Sequence, residues 1–158
     1  MQDADVTDGR RSDGAVVLRL VEPPPPPGDH QVELRVAADA VWLSAVRLLA
    51  GDLAARADFD VDAVADLRLA VDEACAELMR SALPGSTLTC RFAVCDDRIT
   101  MTASVPVEKS RTVDTSGFGW RVLRTLADDV EVITGDDSPG GYPALGLRLG
   151  ALRRIGTP

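Results

Sequence analysis

The stretch "LTCRFAVCDDRITMTASV", Leu88 to Val105, decides the fold. Leu88, Cys90, Phe92 and Val94 alternate with Thr89, Arg91 and Ala93. Past Asp96 and Asp97, Ile99, Met101, Ala103 and Val105 alternate with Thr100, Thr102 and Ser104. A period of two marks strands with one apolar face. The aspartate pair reads as a hairpin turn, which sets the two strands antiparallel. One face of such a sheet must be covered.

Working outward, the cover is found on both sides. Upstream, Val32, Leu34 and Val36 alternate as a strand, and Trp42, Ala45, Val46, Leu49 and Leu53 recur at helical spacing. A second helix begins at Asp60, whose carboxylate suits an N-cap, with Asp62 favourable in the first turn. Val64, Leu67, Val71, Ala74, Leu78 and Ala82 form its apolar stripe, and "LPGS" at 83–86 stops it. Downstream, a short helix carries Val122, Leu123 and Leu126. Val130–Thr134 and Tyr142–Leu149 read as two last strands, joined by a DDSPGG loop. The order is β-α-α-β-β-α-β-β. It predicts an α+β two-layer sandwich: a mostly antiparallel mixed sheet covered on one face by helices.

The chain has 158 residues, which suits one domain. Residues 1–29 read as a disordered tail, with five consecutive prolines at Pro23–Pro27 favouring an extended spacer. Ala15–Val21 within it is apolar enough for a short extra strand. The folded domain is expected over 30–152, with a short C-terminal tail at 153–158. Net charge is -8, which argues against direct nucleic-acid binding and permits a basic protein partner. No apolar run approaches a membrane span, and the N-terminus lacks a secretory pattern. Three cysteines at irregular spacing fit reduced thiols in a cytoplasmic protein. Cys90 and Cys95 are placed to oxidise together or simply to pack. A single histidine, His30, argues against zinc sites and histidine-based triads.

Two features carry chemistry. In "DLRLAVDEACAELMRSA", Asp66–Ala82, Glu73 and Glu77 lie one turn apart on a shoulder of the second helix, beside the apolar stripe. They either face solvent or line a cleft as a general base and a cation ligand. In "DTSGFGW", Asp114–Trp120, Gly117-Phe118-Gly119 opens a helix. Free N–H groups there can hold an anion, or the glycines can serve backbone geometry alone.

In this order, the pieces resemble the anti-sigma-factor switch kinases (RsbW type) of the GHKL ATPase superfamily, with its Bergerat ATP-binding fold. The resemblance spans roughly residues 31–150. "ADLRLAVDEACAEL" is similar to the family's first motif, a helix reading acidic-apolar-x-x-Ala-Val-x-Glu-Ala-x-x-Asn. "TSGFGWRVLRTLADDVEV" is similar to its second glycine motif, Ser-Gly-x-Gly followed by a helix, Asp-Asp and a strand. The resemblance implies Glu73 as general base toward a partner's serine. It puts Glu77 where the family has a magnesium-holding asparagine, and Ser81 where many members have histidine. It also implies a weak phosphate end at Ser116, Gly117, Phe118 and Gly119.

The family's Asp-x-Gly-x-Gly motif, whose aspartate accepts the adenine amino group, has no counterpart. Ala103 stands about where that aspartate belongs, with Val105 and Val107 about where the glycines belong. Losing the partner of a buried polar ligand group costs about 1–3 kcal/mol. The lid between the glycine motifs is also cut short. ATP with magnesium is therefore expected to bind weakly or not at all. What the resemblance implies for function is an anti-sigma factor. It would sequester an alternative sigma factor, be released by an anti-anti-sigma (STAS-type) protein, and pair as a homodimer. A working ATP-dependent serine-protein kinase is the alternative. A basic residue that some relatives use on the first helix has no clear match; Ser44 lies near its position, with Arg47 one turn on.

Overall fold

The structure, a computed structural model, describes residues 17–20, 30–135 and 140–155. Its elements are strand β1 (Val17–Leu20), β2 (His30–Ala37), a 3-10 turn (Ala40–Trp42), helix α1 (Leu43–Arg56), α2 (Val61–Ser81), β3 (Thr87–Val94), β4 (Arg98–Pro106), α3 (Phe118–Leu126), β5 (Asp129–Gly135) and β6 (Ala144–Leu152). The strands form one sheet in the order β1-β2-β3-β4-β6-β5. Each pairing is antiparallel. The two-layer α+β sandwich is as the alternation requires, with two differences. The sheet is antiparallel throughout rather than mixed. Val17–Leu20, read within a disordered tail, instead forms an edge strand on β2, so the order gains a strand at its front. The proline run lies outside the described residues.

The sheet is held by the hairpin that the sequence marks. Ile99, Met101 and Ala103 on β4 stand opposite Val94, Phe92 and Cys90 on β3. On its other side, β4 pairs Met101 with Leu149, Ala103 with Leu147 and Val105 with Leu145 of β6. All of these side chains are buried on the helix-covered face. Phe92, Leu147, Leu149 and Met101 are among the largest fully buried side chains, each contributing about 1.5–3 kcal/mol by leaving water.

Helix α2 lies over this face. Asp60 caps it, its Oδ1 accepting the Ala63 N–H at 2.8 Å, and Asp62 sits in the first turn. Beyond the helix, Gly85 adopts a left-handed conformation (φ 71°) that ordinary side chains resist. Leu67, Ala70, Val71, Ala74, Cys75 and Leu78 are buried. Ala70 and Ala74 are small, so the helix axis can approach the strands closely. Helix α1 packs beside it, burying Val46, Ala50 and Ala54, and Arg47 reaches Asp72 of α2 at 2.7 Å. The sulfur beside Cys90 is that of Cys75, 3.9 Å away across the α2–β3 contact, rather than that of Cys95. The Cys90 thiol, and after it burial, pushes the Cys75 thiol well above its ordinary range. Both are inert packing groups in this state.

The opposite face of the sheet is polar. Glu33 of β2 is buried there between two guanidinium groups, Arg35 at 2.6 Å and Arg91 at 2.7 Å. Arg98 of β4 reaches Asp129 of β5 across β6, passing over Gly150. Gly146, also on β6, is packed so closely that an added Cβ would lie 2.9 Å from the Ala103 carbonyl oxygen. Among the described residues, no helix is long and apolar enough to cross a membrane.

Two outcomes follow from this packing. Gly146→Ala forces β6 away from backbone that cannot give, and lowers stability in urea unfolding by about 1–3 kcal/mol. Glu33 is held below its ordinary pKa, first by the Arg91 hydrogen bond and then by Arg35. A depressed folded-state pKa stabilises fully above the unfolded value of about 4.3 and is lost as pH falls through the folded one. Glu33→Gln is therefore expected to lose about 1–2 kcal/mol at pH 7. Its deficit against the parent chain should shrink below pH about 4 in acid-unfolding curves.

Candidate functional site

The site is built where α2 meets the start of α3. The α2 face that buries Ala70 and Ala74 leaves Glu73 and Glu77 on the shoulder, with side chains 31% and 22% exposed. They are neither on a free surface nor enclosed. Arg80 follows on the same helix. Its guanidinium makes a close ion pair with Glu77 and lies 3.9 Å from Glu73 Oε1. Three residues from Glu77 and seven from Glu73 are close to one and two helical turns, so one arginine can reach both carboxylates.

Helix α3 brings the glycine loop to this shoulder. A Cβ on Gly119 would collide with Glu73 Oε1. The second glycine thus leaves room for a carboxylate from another helix, which would have to shift if a side chain stood there. Gly117 has a different reason. A Cβ there would lie 2.8 Å from Asp114 Oδ2. Asp114 folds back on the loop, its Oδ1 accepting the Ser116 N–H at 2.9 Å and the Ser116 hydroxyl at 2.6 Å. The Ser116 hydroxyl bond, then its N–H, holds the Asp114 carboxyl below its ordinary range. Gly117 itself has φ -74° and ψ 172°, an extended conformation open to any residue. No side chain caps the N-terminus of α3. Phe118 points outward, 76% exposed.

Ser116, Gly117, Gly119 and Glu73 are therefore brought together, with Glu77 one turn away. Ala103 is not part of this cluster. It is fully buried in β4, and Val105 and Val107 beyond it are 1% and 2% exposed. Val107 bridges Ala82 at the end of α2, and Val113 of the shortened loop is also buried. Two cavities of about 260 and 480 Å³ lie against Val107–Arg111 with Pro143, and between Ala55 and Arg68. Neither is lined by Glu73, Ala103 or Gly119.

Two residues of the site escaped the reading of the sequence. Arg80 was passed over, although its spacing from the two glutamates marks it. Asp114 opened the loop without a role; Asp-x-Ser before a helix start is the pattern of a side chain bonding its own backbone two residues on.

The family described as Histidine kinase-like ATPase domain matches residues 36–141. The chain belongs to that family. Among curated proteins it is 45% identical over 104 residues to the Anti-sigma-F factor RsbW of Mycobacterium tuberculosis (strain ATCC 25618 / H37Rv), covering 66% of this chain and 62% of that protein. It is 27% identical over 122 residues to the Serine-protein kinase RsbW of Bacillus subtilis (strain 168), covering 64% of this chain and 76% of the relative. The match thus spans less than two thirds of the Mycobacterium protein.

Membership of a histidine kinase-like ATPase family implies ATP, with magnesium as the usual companion ion. The residues present do not fit that pair well. Ala103, Val105 and Val107, where the resemblance puts the adenine motif, are buried and offer no side-chain acceptor. Glu77 is already paired with Arg80, and the described residues hold no cluster of three metal-ligating side chains. The space at Ala103 can be tested directly. Ala103→Asp would place a carboxylate between Cys90 and Leu147 with no partner, and should destabilise the fold by at least about 3 kcal/mol in urea unfolding. An aspartate accepted with little loss would show that a polar pocket exists there.

Proposed function

We propose that the protein is an anti-sigma factor. It sequesters an alternative sigma factor, is released by an anti-anti-sigma protein of the STAS type, and has weak or absent kinase activity. The observation that carries this reading is the packed core at Ala103 and Val105, in a chain whose relatives include an anti-sigma-F factor. Holding a partner needs surface, whereas phosphoryl transfer needs a seated nucleotide. The net charge of -8 suits a basic, DNA-binding partner and speeds its encounter. In this reading the protein acts as a homodimer.

One observation favours a second reading. Glu73 stands against the start of α3, with Gly119 opening room for it. That is where a general base would have to stand if a phosphoryl group were held by the helix N-terminus. The second reading is an active ATP-dependent serine-protein kinase acting on the anti-anti-sigma partner.

One set of assays separates them. The full chain, incubated with candidate sigma factors, should co-purify with one and suppress transcription by its holoenzyme, with or without ATP. Glu73→Ala should leave capture unchanged. Capture of no sigma factor, with every alternative holoenzyme unaffected, overturns the first reading. Labelled ATP, magnesium and anti-anti-sigma partners should give little transfer; robust transfer lost in Glu73→Ala would establish the kinase instead.

A further inference from the structure

Two carboxylates one turn apart on a helix shoulder are the beginnings of a divalent-cation site, because hard cations collect oxygen ligands. They also repel each other, which destabilises a helix unless a positive charge stands between them. In this chain the positive charge is supplied from within. Arg80 pairs closely with Glu77 and approaches Glu73 Oε1 to 3.9 Å. Glu73 in turn lies against Gly119 at the start of α3, in the space a side chain there would take. A guanidinium stays protonated at any physiological pH and presents a rigid fork of donors to carboxylates. It offsets one of the two negative charges without any recruited ion.

We propose that Arg80 is an internal counterion. It occupies the cation position of the Glu73–Glu77 pair and closes that pair to divalent metal. The inference deepens the proposed function and rests on its premise that this site performs no efficient phosphoryl transfer. It predicts a protein whose partner binding is indifferent to magnesium.

The Arg80 side chain is 60% exposed, so its replacement should spare the fold. Mn²⁺ alone is the probe, followed by the loss of its free-ion electron paramagnetic resonance signal on titration into the full chain, with Mg²⁺ as competitor. Arg80→Gln should bind one Mn²⁺ roughly tenfold or more tighter than the parent chain, and Mg²⁺ should displace it. Arg80→Met, a second variant of similar length, should do the same. Adding Glu77→Gln to Arg80→Gln should abolish the gain, which separates this pair from the general acidic surface. Parent and Arg80 variants binding Mn²⁺ equally, or a gain that survives Glu77→Gln, would overturn the proposal. The readout needs neither ATP nor sigma factor. Failure here and failure of sigma capture are therefore distinct results.

Discussion

Everything in this molecule depends on how α2 is laid across β4 and its neighbours. The strand offers Ile99, Met101, Ala103 and Val105 to one side only, and α2 answers with Leu67, Ala70, Val71, Ala74, Cys75 and Leu78. Once that face is buried, the rotation of the helix is fixed. Fixing it places Glu73, Glu77 and Arg80 on the shoulder that α3 approaches. The chemistry of the shoulder is thus a by-product of core packing, set by alanines that never touch a ligand. The same burial bears on nucleotide recognition. A strand whose inward side chains are all apolar and fully packed makes a firm foundation for a helix and a poor wall for a polar base.

The glycine loop illustrates how space and backbone conformation differ as reasons for a residue. Read as a string, Ser-Gly-Phe-Gly offers a phosphate cradle or a tight turn. Neither glycine there needs a left-handed backbone. Gly117 makes room for Asp114, and Gly119 makes room for Glu73. The loop is a joint between two helices, with the carboxylate of one lodged in the first turn of the other. A carboxylate near the positive end of a helix dipole is favourable in its own right.

Much of the fold was legible because period two and period 3.6 are direct images of sheet and helix geometry. The hairpin at Asp96-Asp97, the Asp60 cap and the stripe of α2 all follow from residue type and spacing. The limits were equally physical. Val17–Leu20 lies in a stretch apolar enough for a short strand, but it is too short to show its own period, and its place depends on register with β2. Asp129 and Gly135 extend β5 beyond its apolar residues because the ladder with β6 continues through them. At the site, the sequence picked out Glu73, Glu77 and the glycine loop. It did not pick out Arg80, since a basic residue near a helix end reads first as a dipole partner, and its two carboxylates emerge only when side-chain directions are known. Nor did it assign Asp128 and Asp129 to their tasks. Asp128 accepts the Leu152 N–H at 2.7 Å, and Asp129 pairs with Arg98. Both lie across the sheet rather than along the chain.

The edge strand β1 limits edge-to-edge pairing of the sheet with another chain. Without it, β2 would present a full row of unpaired backbone groups beside apolar Leu34 and Val36, a ready template for another chain. Val17–Leu20 occupies that row from within the same polypeptide. The opposite margin, β5, is guarded by charge instead, with Asp129 and Glu131 standing along it. One border is closed by a piece of the chain and the other by repulsion. A version shortened past residue 20 would keep its helices and its site but lose the first of these barriers, trading a self-limited sheet for one able to grow.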